Sequence, residues 1–295
     1  MKKALIKVKS NIFFICVGVI LALYVLSMVG MLLWALMTTV RPYSEFLSTP
    51  LSFPKEIQFT NWVEAFTKFA VPIFENGIQT GSFYMEHMFA FSMLYSVGCS
   101  LVQTFTACVC AYLTAKYPFR LGKIVYTTVI VVMIIPIVGS LPSEIMMLHN
   151  LRLHDTFLGV YIMKMNFLGM YFLVFYAVFK SLSWEYAESA FIDGASHLTV
   201  MLRIMLPLVK TTFFAIFLLN FVNYWNDYQS ALLYLPSYPT MAYGLFYMKF
   251  AATQGFGKIP MQLTCCIILA IPSLLLFVVF QKHIMGNLTM GGIKG

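Results

Sequence analysis

Long runs free of charged side chains constrain this chain more than any other feature. Lys9 and Arg41 bracket the first; the next two lie between His87 and Lys116 and between Lys123 and Glu144. A fourth, Thr156 to Phe179, is interrupted by Lys164, and a fifth, Leu208 to Leu235, by Asp227. The last extends from Met261 to Phe280. About twenty apolar residues cross the hydrocarbon of a bilayer as a helix. Six spans are therefore expected, over 12–37, 88–113, 123–142, 156–180, 208–235 and 261–281. Composition removes the alternatives. Charged residues are 10% of the chain, against roughly 25% in a soluble domain, too few to wet a water-facing surface. The 60% hydrophobic content excludes a disordered chain. The expected class is an all-α polytopic membrane protein.

Six spans put both termini on one side, and Lys and Arg in the short loops choose which. Twelve basic residues fall on the terminal side, in the start, in Lys116–Lys123, in Lys180–Lys210 and after the last span; six fall on the other. Both termini are thus expected in the cytoplasm. The net charge of +8 reflects this bias and does not call for nucleic acid. The Lys-rich start resembles a signal peptide, but its apolar part is too long and has no A-x-A-like cleavage site. The domain reading is a cytoplasmic start at 1–11, a membrane domain over 12–285 and a cytoplasmic tail at 286–295. The six cysteines all lie in apolar stretches without CxxC spacing and read as packing residues, so no metal or cofactor is expected.

Outside, the segment Arg41 to Glu86 is punctuated by Pro42, Pro50, Pro54 and Pro72. Within it, Asn61 to Phe66 reads as a short surface helix capped by Thr60 or Asn61. After the breaker Pro236-Ser237-Tyr238-Pro239, Met241 to Phe250 reads as an interfacial or re-entrant helix.

The most informative segment is 183–207. Ser183 can cap a short helix whose acids Glu185 and Glu188 suit its positive N-terminus. Gly194 permits a sharp turn, a second short helix runs from His197 to Met205, and Pro207 fits the first turn of the following span. A helix–turn–helix beneath the membrane invites a soluble partner.

Its spacing resembles the EAA signature of the membrane subunits of bacterial ATP-binding-cassette importers: E-A-A, three residues, G, nine residues, I-x-L-P. Here Glu188, Ser189 and Ala190 stand for E-A-A, with Ser for the central Ala; Gly194, Ile204, Leu206 and Pro207 follow in register. Ile192-Asp193-Gly194-Ala195-Ser196 is similar to the I-D-G-A-S of the carbohydrate branch. The tail from Gly286 looks like the G-L-T-x-G-x-x-K-G ending of the maltose-type subunits, with Asn287 inserted. The resemblance implies the importer permease fold in a bacterial plasma membrane. It also implies a sugar or oligosaccharide as cargo and a coupling role for Glu188, Ser189, Ala190, Asp193, Gly194, Ile204, Leu206 and Pro207. Glu188 would pair with a basic residue of the ATPase, Ala190 and Gly194 would allow close approach, and Thr289 to Gly295 would reach between ATPase subunits unless they fray. Implied partners are a second, homologous permease, two cytoplasmic ATP-binding subunits and an extracytoplasmic substrate-binding protein, besides membrane lipid.

Lys164 and Asp227 are costly within hydrocarbon. Counted from the outer ends of their spans, both lie about 12 Å deep. That makes them candidates for a structural ion pair, for snorkelling, or for lining a sugar route. Asn223 and Asn226 share a helical stripe with Asp227 and could bond sugar hydroxyls, whereas Trp225 falls elsewhere and reads as an interfacial anchor.

Two other classes compete, besides an importer for a non-sugar solute. An ion-driven transporter would carry inverted repeats and paired broken helices, and only one breaker is visible. An enzyme would need a catalytic constellation; neither HExxH nor GxSxG occurs. No GxxxxGK[ST] occurs either, so ATP hydrolysis would come from a separate subunit.

Overall fold

A computed structural model describes residues 2–75, 78–135, 139–250 and 258–288. The chain is mostly helical. Among the described residues three helices are long and apolar enough to cross a membrane: Phe13–Thr39, Met85–Lys116 and Ile259–Gln281. They fall where the first, second and sixth spans are expected.

The expected segments 123–142, 156–180 and 208–235 are not continuous helices, and each break has a local cause. In the third, α5 (Arg120–Ile134) ends two residues before Pro136. The residue before a proline is pushed out of the helical region. In the fourth, α7 (Phe157–Met163) closes on Lys164, and α8 (Met170–Ser181) starts after a turn in which Asn166 Oδ1 accepts the Leu168 N–H. In the fifth, α12 (Lys210–Trp225) gives way to α13 (Tyr228–Tyr234) at Asp227, whose backbone is extended.

The all-α expectation needs a second correction. The segment between Arg41 and Glu86 contains an antiparallel hairpin, β1 (Ala70–Glu75) and β2 (Ile78–Tyr84). Pro72 sits opposite Ser82. A two-stranded ribbon has a free edge on each strand, so a proline without an N–H is tolerated there.

The chain divides into two compact units, Met1–Phe69 with Met248–Ile268, and Ala70–Tyr247 with Leu269–Gly295. In the first, α1 (Lys2–Thr39) leaves Phe13 to Leu33 exposed. Its C-terminal end is tied by Arg41, whose buried guanidinium donates to Glu45 Oε1, Ser52 Oγ and the carbonyls of Thr49 and Pro50. The Lys55 backbone N–H, with Arg41 adding, holds the Glu45 carboxyl below its usual value. Helix α2 (Tyr43–Ser48) lies within this knot, and α3 (Thr60–Lys68) follows it. Neither Thr60 nor Asn61 caps α3: Phe59 stands at the cap position, and the Asn61 amide instead donates to the carbonyls of Thr39 and Arg41.

The second unit is built on α4 (Met85–Lys116), which packs against α8 and α12. Small residues make the close approach possible: Ala107, Cys108 and Ala111 of α4 share a core with Phe172, Phe175 and Phe179 of α8. Toward α12, the Asn220 amide donates to Thr104 Oγ1 at 3.0 Å and the Tyr224 hydroxyl to Gln103 Oε1 at 2.8 Å. Trp225 is buried, stacks on Phe221 and donates its indole N–H to the Leu269 carbonyl at 2.8 Å. It is a core residue, not the interfacial anchor expected of it: with its polar N–H satisfied inside, the indole has no need of water. Helix α6 (Leu141–Asn150) belongs to this unit, and α14 (Met241–Phe250) and α15 (Ile259–Leu288) complete the chain.

Candidate functional site

The segment 183–208 folds as the expected helix–turn–helix, and its details follow from the residues. Ser183 Oγ accepts the Glu185 N–H at 3.2 Å, ahead of α9 (Glu185–Ile192). At the other end the Gly194 N–H bonds the Phe191 carbonyl and the Ala195 N–H reaches back to Ala190, a Schellman closure. That closure requires a left-handed residue, and Gly194 has φ +82°. Ser196 then caps α10 (His197–Val200) by accepting the Thr199 N–H.

The second helix departs from expectation at its end. Pro207 is not in the first turn of the span that follows. It lies in α11 (Leu206–Leu208), before a 76° bend at Val209 that separates His197–Leu208 from α12. The turn ahead of it, Met201–Met205, is π-helical, with the Leu206 N–H donating to the Met201 carbonyl. A proline lacks an N–H and its ring crowds the carbonyl four residues back, so the backbone widens there.

The eight motif residues divide by the way they face. Glu188, Ser189, Asp193, Gly194 and Pro207 are exposed. Ile204 and Leu206 pack against the core formed by Ala187, Val200, Met205 and Val209 with Tyr112, Val129 and the α8 phenylalanines. Ala190 is buried in that same core, where its small side chain serves the protein's own packing. On the exposed side, flanking the turn, stand Ile192 of the I-D-G-A-S run, 87% exposed, and Leu198, 61% exposed. A sequence reader could have noticed them, since each is an aliphatic residue beside a polar turn.

A second constellation collects at the breaks in the fourth and fifth segments. Asp227 Oδ1 caps α13 by accepting the Ser230 N–H at 2.9 Å, and Oδ2 accepts the Tyr95 hydroxyl at 3.1 Å. Lys164 Nζ donates to Ser230 Oγ at 3.3 Å and lies 5.3 Å from the Tyr224 ring centroid. Lys164 and Asp227 form no direct ion pair among the described residues; Ser230 stands between them. Nearby, the Tyr234 hydroxyl donates to Glu144. Tyr95 was not legible as a partner from spacing, because its bond depends on α4 lying beside the Asp227 turn.

Nor do Asn223, Asn226 and Asp227 form one stripe. The helix ends at Trp225; Asn226 bonds back to the Val222 carbonyl and is exposed, and Asp227 turns into the next helix. Asn223 lines a separate, mainly apolar cavity of about 250 Å³ with Tyr171, Leu218 and Leu276. The tail from Thr289 to Gly295 lies outside the described residues.

One solved structure shares this architecture, and several known proteins are similar in sequence. The model of the family described as "Binding-protein-dependent transport system inner membrane component" matches residues 103–287. The arabinooligosaccharides transport system permease protein AraQ of Bacillus subtilis is 26% identical, over 88% of this chain and 88% of its own. The diacetylchitobiose uptake system permease protein NgcG of Streptomyces coelicolor is 24% identical, over 93% of this chain and 87% of its own. Among solved structures, a chain of a bacterial ABC transporter involved in the import of the acidic polysaccharide alginate superposes with a TM-score of 0.73. It is 20% identical and covers 92% of this chain and 96% of its own. With its family match spanning well over half its length and a shared fold along nearly all of it, the chain belongs to the inner-membrane components of binding-protein-dependent transport systems.

Proposed function

We propose that this chain is one permease half of an ATP-driven carbohydrate importer, paired with a homologous permease, served outside by a substrate-binding protein and driven by two separate ATPase subunits. The carbohydrate assignment is supported by the names of its relatives, which include permeases for arabinooligosaccharides, diacetylchitobiose and melibiose/raffinose/stachyose. In this reading the membrane domain has six spans, three of them locally broken, and both termini are cytoplasmic. The 12 to 6 bias of basic residues supports that orientation. The tail from Thr289 would contact the ATPase pair, and the chain itself catalyses nothing.

The observation that carries the coupling role is the two-sided build of 185–208. Ala187, Ala190, Val200 and Met205 lock it to α4 and α8, while Glu188, Asp193, Ile192 and Leu198 stand free on its outer side. A rigidly anchored element with exposed apolar and acidic residues transmits motion from a docked partner to the helices beneath. Gly194→Val tests it: a β-branched residue at φ +82° costs about 1–3 kcal/mol locally. Sugar uptake and substrate-stimulated ATP hydrolysis in liposomes should fall together, with membrane insertion intact. Full uptake by the variant would overturn the coupling role, and uptake of only a non-sugar solute by the wild type would overturn the substrate class.

A further inference from the structure

The corner between α4 and α5 holds a cleft of about 950 Å³ that the transport reading does not use. Lys116, Arg120 and Lys123 line it, with Thr114, Thr127 and Tyr176, and no acidic residue is among its lining. A fourth cation, Lys180, lies 5.7 Å from the centroid of the Tyr176 ring. None of these four cations has an ion-pair partner among the described residues. Lys116 is held in place by donating to the Leu182 carbonyl at 2.6 Å and by the Trp184 ring 5.9 Å away. An ammonium has three donors, so two remain for a ligand. Arg120 and Lys123 are exposed. Such a cleft concentrates positive potential and calls for an anion.

The anion is identified by what adjoins the charge. On the same 15-residue helix α5, Leu121 and Ile124 are 64% and 60% exposed, and Val131 and Ile134 farther along are exposed too. A soluble phosphate has no use for that face, whereas a molecule with an anionic head and hydrocarbon tails satisfies both parts. Basic pockets at the cytoplasmic ends of membrane helices attract anionic headgroups in this way. We propose that the α4–α5 corner is a binding site for an anionic phospholipid, its phosphate among Lys116, Arg120 and Lys123 and its acyl chains along α5. This rests on the cytoplasmic orientation proposed above. The site adjoins the coupling element: Trp184 of its wall precedes α9, and the Tyr117 hydroxyl bonds His197 Nδ1 at 3.0 Å. An occupied cleft therefore stiffens the anchorage of the helix–turn–helix.

The test is native mass spectrometry of the intact transporter in detergent, titrated with phosphatidylglycerol or with phosphatidylcholine. Wild type should retain phosphatidylglycerol and not phosphatidylcholine. Arg120→Gln/Lys123→Gln, which removes two exposed charges and leaves the core untouched, should weaken phosphatidylglycerol retention by about thirtyfold. Equal retention of the two lipids, or unchanged retention by the variant, would overturn the proposal. So would displacement of the lipid by millimolar inorganic phosphate, which would mark a free-phosphate site. Retention is read on the purified complex without transport, so failure of the lipid site and failure of the importer reading give different results.

Discussion

At Asp227 both carboxylate oxygens are engaged within the protein, one capping α13 and one accepting from Tyr95. Depth and charge alone suggested a direct partner in Lys164, but the ammonium bonds Ser230, whose backbone N–H is itself held by the carboxylate. The coupling between the two charges therefore passes through one serine. A double-mutant cycle of Lys164→Met and Asp227→Asn, read by thermal unfolding in detergent, should give a coupling energy of about 0.5–1.5 kcal/mol. In a Ser230→Ala background it should fall close to zero. Coupling that survives there would mean that Coulomb attraction across the gap carries it. Asp227→Asn by itself keeps the cap, since asparagine caps as well as aspartate, but loses the acceptor for Tyr95, at about 1–2 kcal/mol.

Among elements, the contact of α4 with α7 depends on one absent side chain. The Tyr161 ring lies across Gly98, so close that a Cβ there would meet its atoms at 2.3–2.4 Å, while its hydroxyl bonds the Leu94 carbonyl. Gly98→Ala should destabilise the protein by about 1–3 kcal/mol through overpacking. Adding Tyr161→Ala should recover part of that loss, a non-additivity visible in the unfolding midpoints. Simple additivity of the two changes would show that the ring moves aside freely. The coupling element obeys a related rule: its glycine and the Ser183 bond ahead of α9 were legible because both are local, whereas the inward turn of Ala190 was not. Nothing in Glu188-Ser189-Ala190 tells which of the three faces α8.

For the whole molecule the matter is orientation. The proposed six-span arrangement expects Ser196→Cys to react with a membrane-impermeant thiol reagent only in inverted vesicles. Ser196 is exposed beside Gly194, so lack of access would not explain a failure. Reaction from outside intact cells would reverse the topology, and with it the leaflet facing Lys116, Arg120 and Lys123.

The one-dimensional pattern was enough for the membrane class, the long first, second and sixth helices, and the helix–turn–helix with its left-handed glycine. Each depends on hydrophobicity summed over twenty residues or on hydrogen bonds between near neighbours, and both are written along the chain. Hydropathy could not reveal that three further segments break, because a turn at Lys164 or Asp227 is tolerable in apolar surroundings only where other side chains satisfy the freed polar groups. Those side chains, Ser230 and Tyr95, come from the neighbouring turn and from a helix 132 residues away from Asp227. The same holds for buried Trp225, whose N–H partner on Leu269 is 44 residues distant, and for the far wall of the cationic cleft, where Tyr176 and Trp184 meet the α4–α5 corner. Tertiary packing decided those features, since the energy of a buried polar group is set by whatever lies within about 3 Å of it, however far along the chain.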